Sequence, residues 1–358
     1  MRLNVSIMGD TSPTKHIHLL DGLRGVAALS VVIFHFTEWI YTDFSKNFVG
    51  HGFLAVDFFY CLSGFVIAYA YDHRFPQLGN WAFFKRRLIR LHPLVVLGGI
   101  LGILAFLFDP FANNIQQYPL WQIILLSLAT LLLIPYPVMA DRSFNLFGLN
   151  APAWTLFWEY VANICYCLVL VRLGKRALYV LIVLAAILLA TVAYEAGNLL
   201  GGWNAETFWH GGVRVAYSFL AGLLIYRNKW TIPNRLGFPA LALLLLVAMT
   251  MPYFSFNWLV ELLIVLCYFP LIVSLGAGSV NQQSTEKLCR FSGRISYPLY
   301  ITHYFVIWIF GNWFLQTEPD RLTLVSVVVL TTLLLVGVAY LSLRFYDEPL
   351  RRYLTKKS

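Results

Sequence analysis

The residues of this chain best suited to chemistry share one apolar run, LDGLRGVAALSVVIFHFTEWI, at positions 20–40. The run has the length of a membrane span, yet it carries Asp21, Arg24, His35 and Glu38. A helix turns about 100° and rises about 1.5 Å per residue, which sets Arg24 and His35 within roughly 20° of one face and about 16 Å apart along the axis. By the same arithmetic Asp21 and Glu38 lie within about 60° of that face. Ionisable groups at membrane depth are costly, and they mark functional sites facing a bundle interior. An imidazole titrates near neutrality, so His35 can take a proton from a hydroxyl and return it. It can also carry a transferred group for part of a cycle. A nearby carboxylate can hold the useful tautomer, and Glu38, one turn on, or Glu159, across the bundle, is the candidate. Arg24 offers a planar fork of donors to a phosphate or a developing oxyanion, with Asp21 one turn away to neutralise it.

Other segments also hold polar groups in apolar surroundings. In GFLAVDFFYCLSGF, Asp57 needs a partner on another helix, and Gly64, almost on the same face, lets a second backbone approach. Ser63 has no GxSxG context and no local base, which argues against a nucleophilic serine. In FFKRRLIRLHP, Lys85, Arg86, Arg87 and Arg90 read either as a topology signal touching anionic lipid or as a phosphate-binding rim. Arg86 and Arg90, spaced i, i+4, share a face and suit the phosphates of a group such as coenzyme A. In WTLFWEYVAN, Thr155, Glu159 and Asn163 recur every four residues as a polar stripe. SYPLYITHYFVIW places Tyr297, Tyr300 and His303 on one helix, the last two a turn apart. Arg214 and Glu261 are further charges in apolar runs, expected to pair with each other or with these acids. No Walker A loop, strand-borne GxGxxG, HExxH or Cys/His metal spacing occurs, so no metal is expected.

What must position these groups is a membrane bundle. Of 358 residues only 12% are charged and 59% are hydrophobic, against about 25% charged in soluble domains. That composition predicts an all-α integral membrane protein, a bundle of about ten transmembrane helices. The spans fall near 19–41, 52–72, 88–108, 153–171, 177–195, 208–226, 236–253, 256–276, 295–315 and 322–345. The formal charge of +9 invites a nucleic-acid partner, but the basic residues stand between the apolar runs, where membrane topology explains them. Five cysteines, mostly inside apolar runs, suggest neither a disulfide framework nor a metal site. All the basic clusters reach the cytoplasmic side only if an eleventh apolar run, 121–138, does not cross. Pro135 and Pro137 break any helix there, so this segment is predicted to re-enter on the outer side; the alternative is an eleventh span with one cluster on the wrong side. The domain reading is a cytoplasmic segment 1–18 without a cleaved signal peptide, a transmembrane domain 19–346 and a basic cytoplasmic tail 347–358 that includes Lys356 and Lys357.

Taken in order, these segments resemble the motifs of the membrane acyltransferase-3 family. Arg24 and His35, with ten residues between them, resemble its Arg/Lys-x10-His signature, and GFLAVDFFYCLSGF its Gly-Val-Asp-x-Phe-Phe…Ser-Gly-Phe run. FFKRRLIRLHPL is similar to its Arg-Arg-x-x-Arg-x-x-Pro segment, and WTLFWEY to its Trp-Ser-Leu-x-x-Glu, with Thr155 in place of serine. SYPLYITHY resembles its Ser-Tyr-x-Leu-Tyr-x-x-His, and DEPLRRY, imperfectly, a Glu-x-Pro-like ending, since Glu348 directly precedes Pro349.

The resemblance implies an O-acyltransferase, placed in the bacterial inner membrane, and the basic clusters put both termini in the cytoplasm. Its donor would be acetyl-CoA or another acyl-CoA, its acceptor a hydroxyl of a glycan such as a polysaccharide or lipopolysaccharide, or of another exported molecule. It also implies that Arg24 and His35 are needed for activity. On this reading His35, Arg24, Glu159 and Asp57 carry the catalysis, Lys85, Arg86, Arg87 and Arg90 hold the donor, and Asp21, Glu38, Tyr300 and His303 are further candidates. A transporter of a lipid-linked or polar substrate would use the same charges as a path. Against it, the charges concentrate in the first two spans and no two-fold repeat is visible.

Overall fold

The computed structural model describes residues 17–280 and 285–356. All but the last two residues of the predicted segment 1–18, and Lys357 of the tail, lie outside the described residues. Those described form helices without a β-strand, and the architecture is that of an integral membrane protein. Helix α1 spans His18–Ile40, α2 Ala55–Tyr71, α3 Phe75–Leu107 and α4 Leu120–Leu132. Then come α5 over Ala153–Leu168, α6 over Lys175–Ala196, α7 over Phe208–Arg227 and α8 over Phe238–Thr250. The rest are α9 over Asn257–Gly278, α10 over Glu286–Thr302, α11 over Tyr304–Thr317 and α12 over Arg321–Lys356.

Among the described residues, eight helices are long and apolar enough to cross a membrane: α1, α2, α3, α5, α6, α7, α9 and α12. Two of the ten predicted spans take another form. The run 236–253 yields the short α8, and 295–315 is interrupted at His303 between α10 and α11. The interruption has a local cause: the His303 side chain takes the Tyr300 and Leu299 carbonyls that the next helical turn would use.

α1 is the central helix. It lies along α10 and also meets α8, α2 and α11. α2 lies along α7 through a reciprocal contact of small residues. A Cβ on Gly64 would collide with the Phe219 carbonyl, and one on Gly222 with the Cys61 carbonyl. Such contacts let two backbones approach closely where the surroundings supply no hydrophobic drive between helices. α6 and α12 leave most of their Val, Leu and Ile side chains outward, the face a bilayer would cover.

The run 121–138 does not continue as one helix but turns back after Leu132, the shape the predicted re-entrant segment needs. α4 packs against α3, with Thr130 and Leu131 at Gly99, well inside that helix. Leu133 then adopts left-handed backbone, φ 58°, and closes the helix by donating to Thr130. The chain returns in extended form through Pro135 and Pro137, which supply no donor to a helix. Tyr118 and Asp141, at the two ends of the excursion, are hydrogen-bonded to each other. Its return limb is stitched to the protein, with the Tyr136 amide donating to Leu146 O at 2.9 Å. Non-helical backbone at this depth survives only when covered in this way.

Candidate active site

His35 lies in the last two turns of α1, half-buried. Its Nδ1 is 2.7 Å from Glu38 Oε1. A carboxylate only accepts, so Nδ1 carries the hydrogen and Nε2 keeps its lone pair. Of the two carboxylates considered for this role, Glu38 holds it. Glu159 is engaged elsewhere, accepting from Arg87 Nη2 at 2.8 Å and from Ser63 Oγ at 3.2 Å. The sequence showed no base beside Ser63; the fold brings it a carboxylate from α5.

Two aromatic neighbours fix the His35 ring. His303 stacks on it, centroids 5.3 Å apart and planes 22° from parallel, and Tyr304 meets it edge-on at 4.8 Å. His303 is fully buried. Its Nδ1 lies 2.8 Å from Tyr300 O and 3.2 Å from Leu299 O, so that nitrogen is the N–H, and its Nε2 has no hydrogen-bond partner among the described residues.

Three adjoining cavities run from His35 to Arg24. The first, about 420 Å3, is lined by His35, Glu38, Arg142, Trp154, Tyr304 and Trp308. The second, about 170 Å3, is lined by Ser63, Arg87, Thr155, Glu159 and Tyr297, and it shares Val56 and Tyr300 with the first. The third, about 780 Å3, is a vestibule with Asp21, Arg290, Arg294 and Arg351 in its wall, and it shares Arg24, Val66 and Arg90 with the second. The outer two have the size of small-molecule sites, about 300–1,000 Å3. The middle cavity is the smallest of the three.

Around the vestibule the cations differ in what holds them. Arg24 is paired with Asp21, as its spacing predicted. Arg90 has no hydrogen-bond or ion-pair partner among the described residues and faces both cavities it borders. Of the predicted rim Lys85, Arg86, Arg87 and Arg90, Arg90 lines the middle cavity and the vestibule, and Arg87 lines the middle cavity, paired with Glu159. α3 turns Leu91, Leu94, Val95 and Gly98 inward, which carries Arg87 and Arg90 toward the cavities. Arg86, about 100° away on the helix, is exposed, and neither it nor half-buried Lys85 lines these three cavities.

Asp57 finds its partner on α7. Both side chains are fully buried, with Arg214 Nη2 2.6 Å and Nε 3.2 Å from the carboxylate. The same guanidinium donates to Gly201 O at 2.9 Å and Phe53 O at 3.0 Å. Arg214 and Glu261 do not pair with each other. Glu261 accepts from the Leu199 amide at 2.6 Å and from Asn257, and lies 3.5 Å from His51. Of the polar stripe on α5, Thr155 and Glu159 reach the middle cavity, while Asn163 is buried without a hydrogen-bond partner among the described residues. The Thr155 hydroxyl donates to Pro152 O at 2.9 Å and accepts from the Tyr300 hydroxyl at 2.9 Å, which pins Tyr300 between two cavities. Arg142 and Trp308 join the His35 cavity without having been singled out in the sequence. Arg142 comes from the irregular strap after α4, where no periodicity assigns a face. Among the described residues, no group of three His, Cys, Asp or Glu side chains is gathered as a metal ion would need.

A family model described as an acyltransferase domain matches residues 17–344. The chain is 34% identical over 198 residues to protein 2 in the picA locus of Rhizobium radiobacter, a match that covers 51% of this chain and 97% of that protein. It is 23% identical over 368 residues to the peptidoglycan O-acetyltransferase OatA of Listeria monocytogenes. That match takes in 94% of this chain and 56% of the relative, so the chain spans little more than half the relative's length. No solved structure matches.

Proposed function

The chain belongs to the acyltransferase-3 family, and from that premise we propose that it moves an acyl group, acetyl first of all, from cytoplasmic acyl-CoA to a hydroxyl of a glycan or other exported acceptor. The observation that carries this reading is the row of adjoining cavities between the arginine-lined vestibule and His35.

In this proposal the vestibule is cytoplasmic. Arg90, free of any other partner, holds the donor's phosphates with Arg290, Arg294 and Arg351 around it. The middle cavity takes the slender arm of the donor and brings its thioester toward His35. Glu159, fixed by Arg87, borders that arm, and Asp57 acts through Arg214 to hold the wall behind the His35 cavity. The acceptor enters the His35 cavity from the other side. Its hydroxyl gives a proton to His35 Nε2 as its oxygen attacks the thioester carbon, and Glu38 neutralises the imidazolium formed. The carbon–sulfur bond then breaks, and His35 returns the proton to the thiolate. Attack by the same Nε2 lone pair on the thioester would make His35 a transient carrier instead.

Thermal unfolding of the detergent-solubilised protein with and without acetyl-CoA tests the donor. A ligand bound only to the native state stabilises by about 2.7 kcal/mol at a hundredfold excess over its dissociation constant. Stabilisation that Arg90→Ala removes supports the reading. Indifference of the intact protein to acetyl-CoA rejects it and favours a transporter.

A further inference from the structure

The His35 cavity has a second cation that this mechanism leaves unused. Arg142 ends a 3-10 turn, Ala140–Arg142, on the strap that follows α4. The next two residues, Ser143 and Phe144, hold left-handed backbone at φ 52° and 51° although neither is glycine. Such conformations are strained, and they persist where the surroundings over-determine them. Here they do: the Leu146 amide donates to Trp203 O at 2.9 Å, and the Ala205 amide to Phe144 O at 3.0 Å.

What the strained turn aims is one side chain. Arg142 is only 5% exposed, and its guanidinium lies 4.3 Å from the Trp308 ring centre and 5.1 Å from that of Phe106. Its Nη1 donates to Gly148 O at 2.6 Å. The remaining guanidinium N–H groups have no hydrogen-bond partner among the described residues. Its nearest carboxylate, Asp141, is 4.0 Å away, exposed, and already bonded by Tyr118. Elsewhere in the cavity wall, the charge of Arg214 is taken up by Asp57, and Glu38 is bonded to His35. Arg142, whose ion-pair partner among the described residues is Asp141 at 4.0 Å, keeps N–H groups for what enters.

We propose that Arg142 stabilises the oxyanion of the acyl transfer, an assignment that rests on the reading of His35 as the base for attack on a thioester. As the acceptor oxygen bonds to the thioester carbon, the acceptor's proton passes to His35 Nε2 and the carbonyl π pair moves onto oxygen. Arg142 donates N–H to that oxyanion. Collapse re-forms the carbonyl and breaks the carbon–sulfur bond, and the sulfur takes the proton back from His35. The products are the acyl ester and the free thiol of coenzyme A. A guanidinium already clamped by two rings and a carbonyl needs no rearrangement as the charge develops, which is the condition for strong stabilisation.

The test is thiol release from acetyl-CoA by inside-out membrane vesicles of the producing cells, which carry the cell's own acceptors. Arg142→Gln is expected to lower turnover about 10²–10³-fold at an unchanged KM for acetyl-CoA. Arg142→Lys should fall between it and the parent protein, and millimolar guanidinium should partly restore Arg142→Ala. Full turnover in Arg142→Gln overturns the proposal. So does loss of activity together with loss of thermal stability in all three variants, unrelieved by guanidinium, which would make Arg142 a support of the strap. If the parent vesicles release no thiol from acetyl-CoA, it is the acyl-CoA reading that fails, not the role of Arg142 within it.

Discussion

Glu38 gives His35 its direction: by accepting the Nδ1 hydrogen it leaves the lone pair on Nε2, the atom that meets the acceptor in the proposed reaction. His35→Ala is expected to lower acyl transfer about 10²–10⁴-fold, the usual worth of a general base, while the protein still inserts. Glu38→Gln should cost less but in the same direction, because the amide can hold the ring yet cannot neutralise the imidazolium. Thiol release from acetyl-CoA at matched protein level measures both. The pairing of His35 with Glu38 and of Arg24 with Asp21 was legible in the sequence, since an i, i+3 spacing on a helix is a contact whatever the tertiary structure. The choice of Arg87 over Arg86 was not, because it depends on how α3 is rotated against its neighbours. Arg142 was invisible for a stronger reason. It sits in irregular backbone, where no period predicts direction.

Among the elements, the α2–α7 pair carries a fully buried ion pair. Removing one partner of a buried ion pair leaves the other charge uncompensated, so Asp57→Asn should destabilise the protein by about 3–5 kcal/mol. The double variant Asp57→Asn with Arg214→Met should recover much of that, as seen by thermal unfolding in detergent; equal losses in single and double variants would show that the pair acts otherwise. Gly64→Leu is expected to separate the same two helices, since its side chain would occupy the place of the Phe219 carbonyl, and to abolish folded protein. Long apolar runs announced most of the helices, and Pro135 with Pro137 announced the re-entrant turn after α4. The break between α10 and α11 was hidden, because it arises when His303 turns its own side chain onto helix carbonyls, a choice made by packing against His35.

At the scale of the molecule, a membrane bundle has closed around three adjoining cavities, the smallest of them in the middle. The sequence located the ionisable residues at each end but not the residues that wall the cavities, because those walls are shared among helices distant along the chain. Val56 and Tyr300, from α2 and α10, belong to two cavities at once. The central claim is that donor and acceptor meet from opposite sides of the membrane at His35. Sealed inside-out vesicles given radiolabelled acetyl-CoA on the outside test it directly. The account predicts that labelled acyl groups appear on material protected inside the lumen, and that His35→Ala removes them. Label confined to the face that received the acetyl-CoA, or lumenal label that survives His35→Ala, would contradict it.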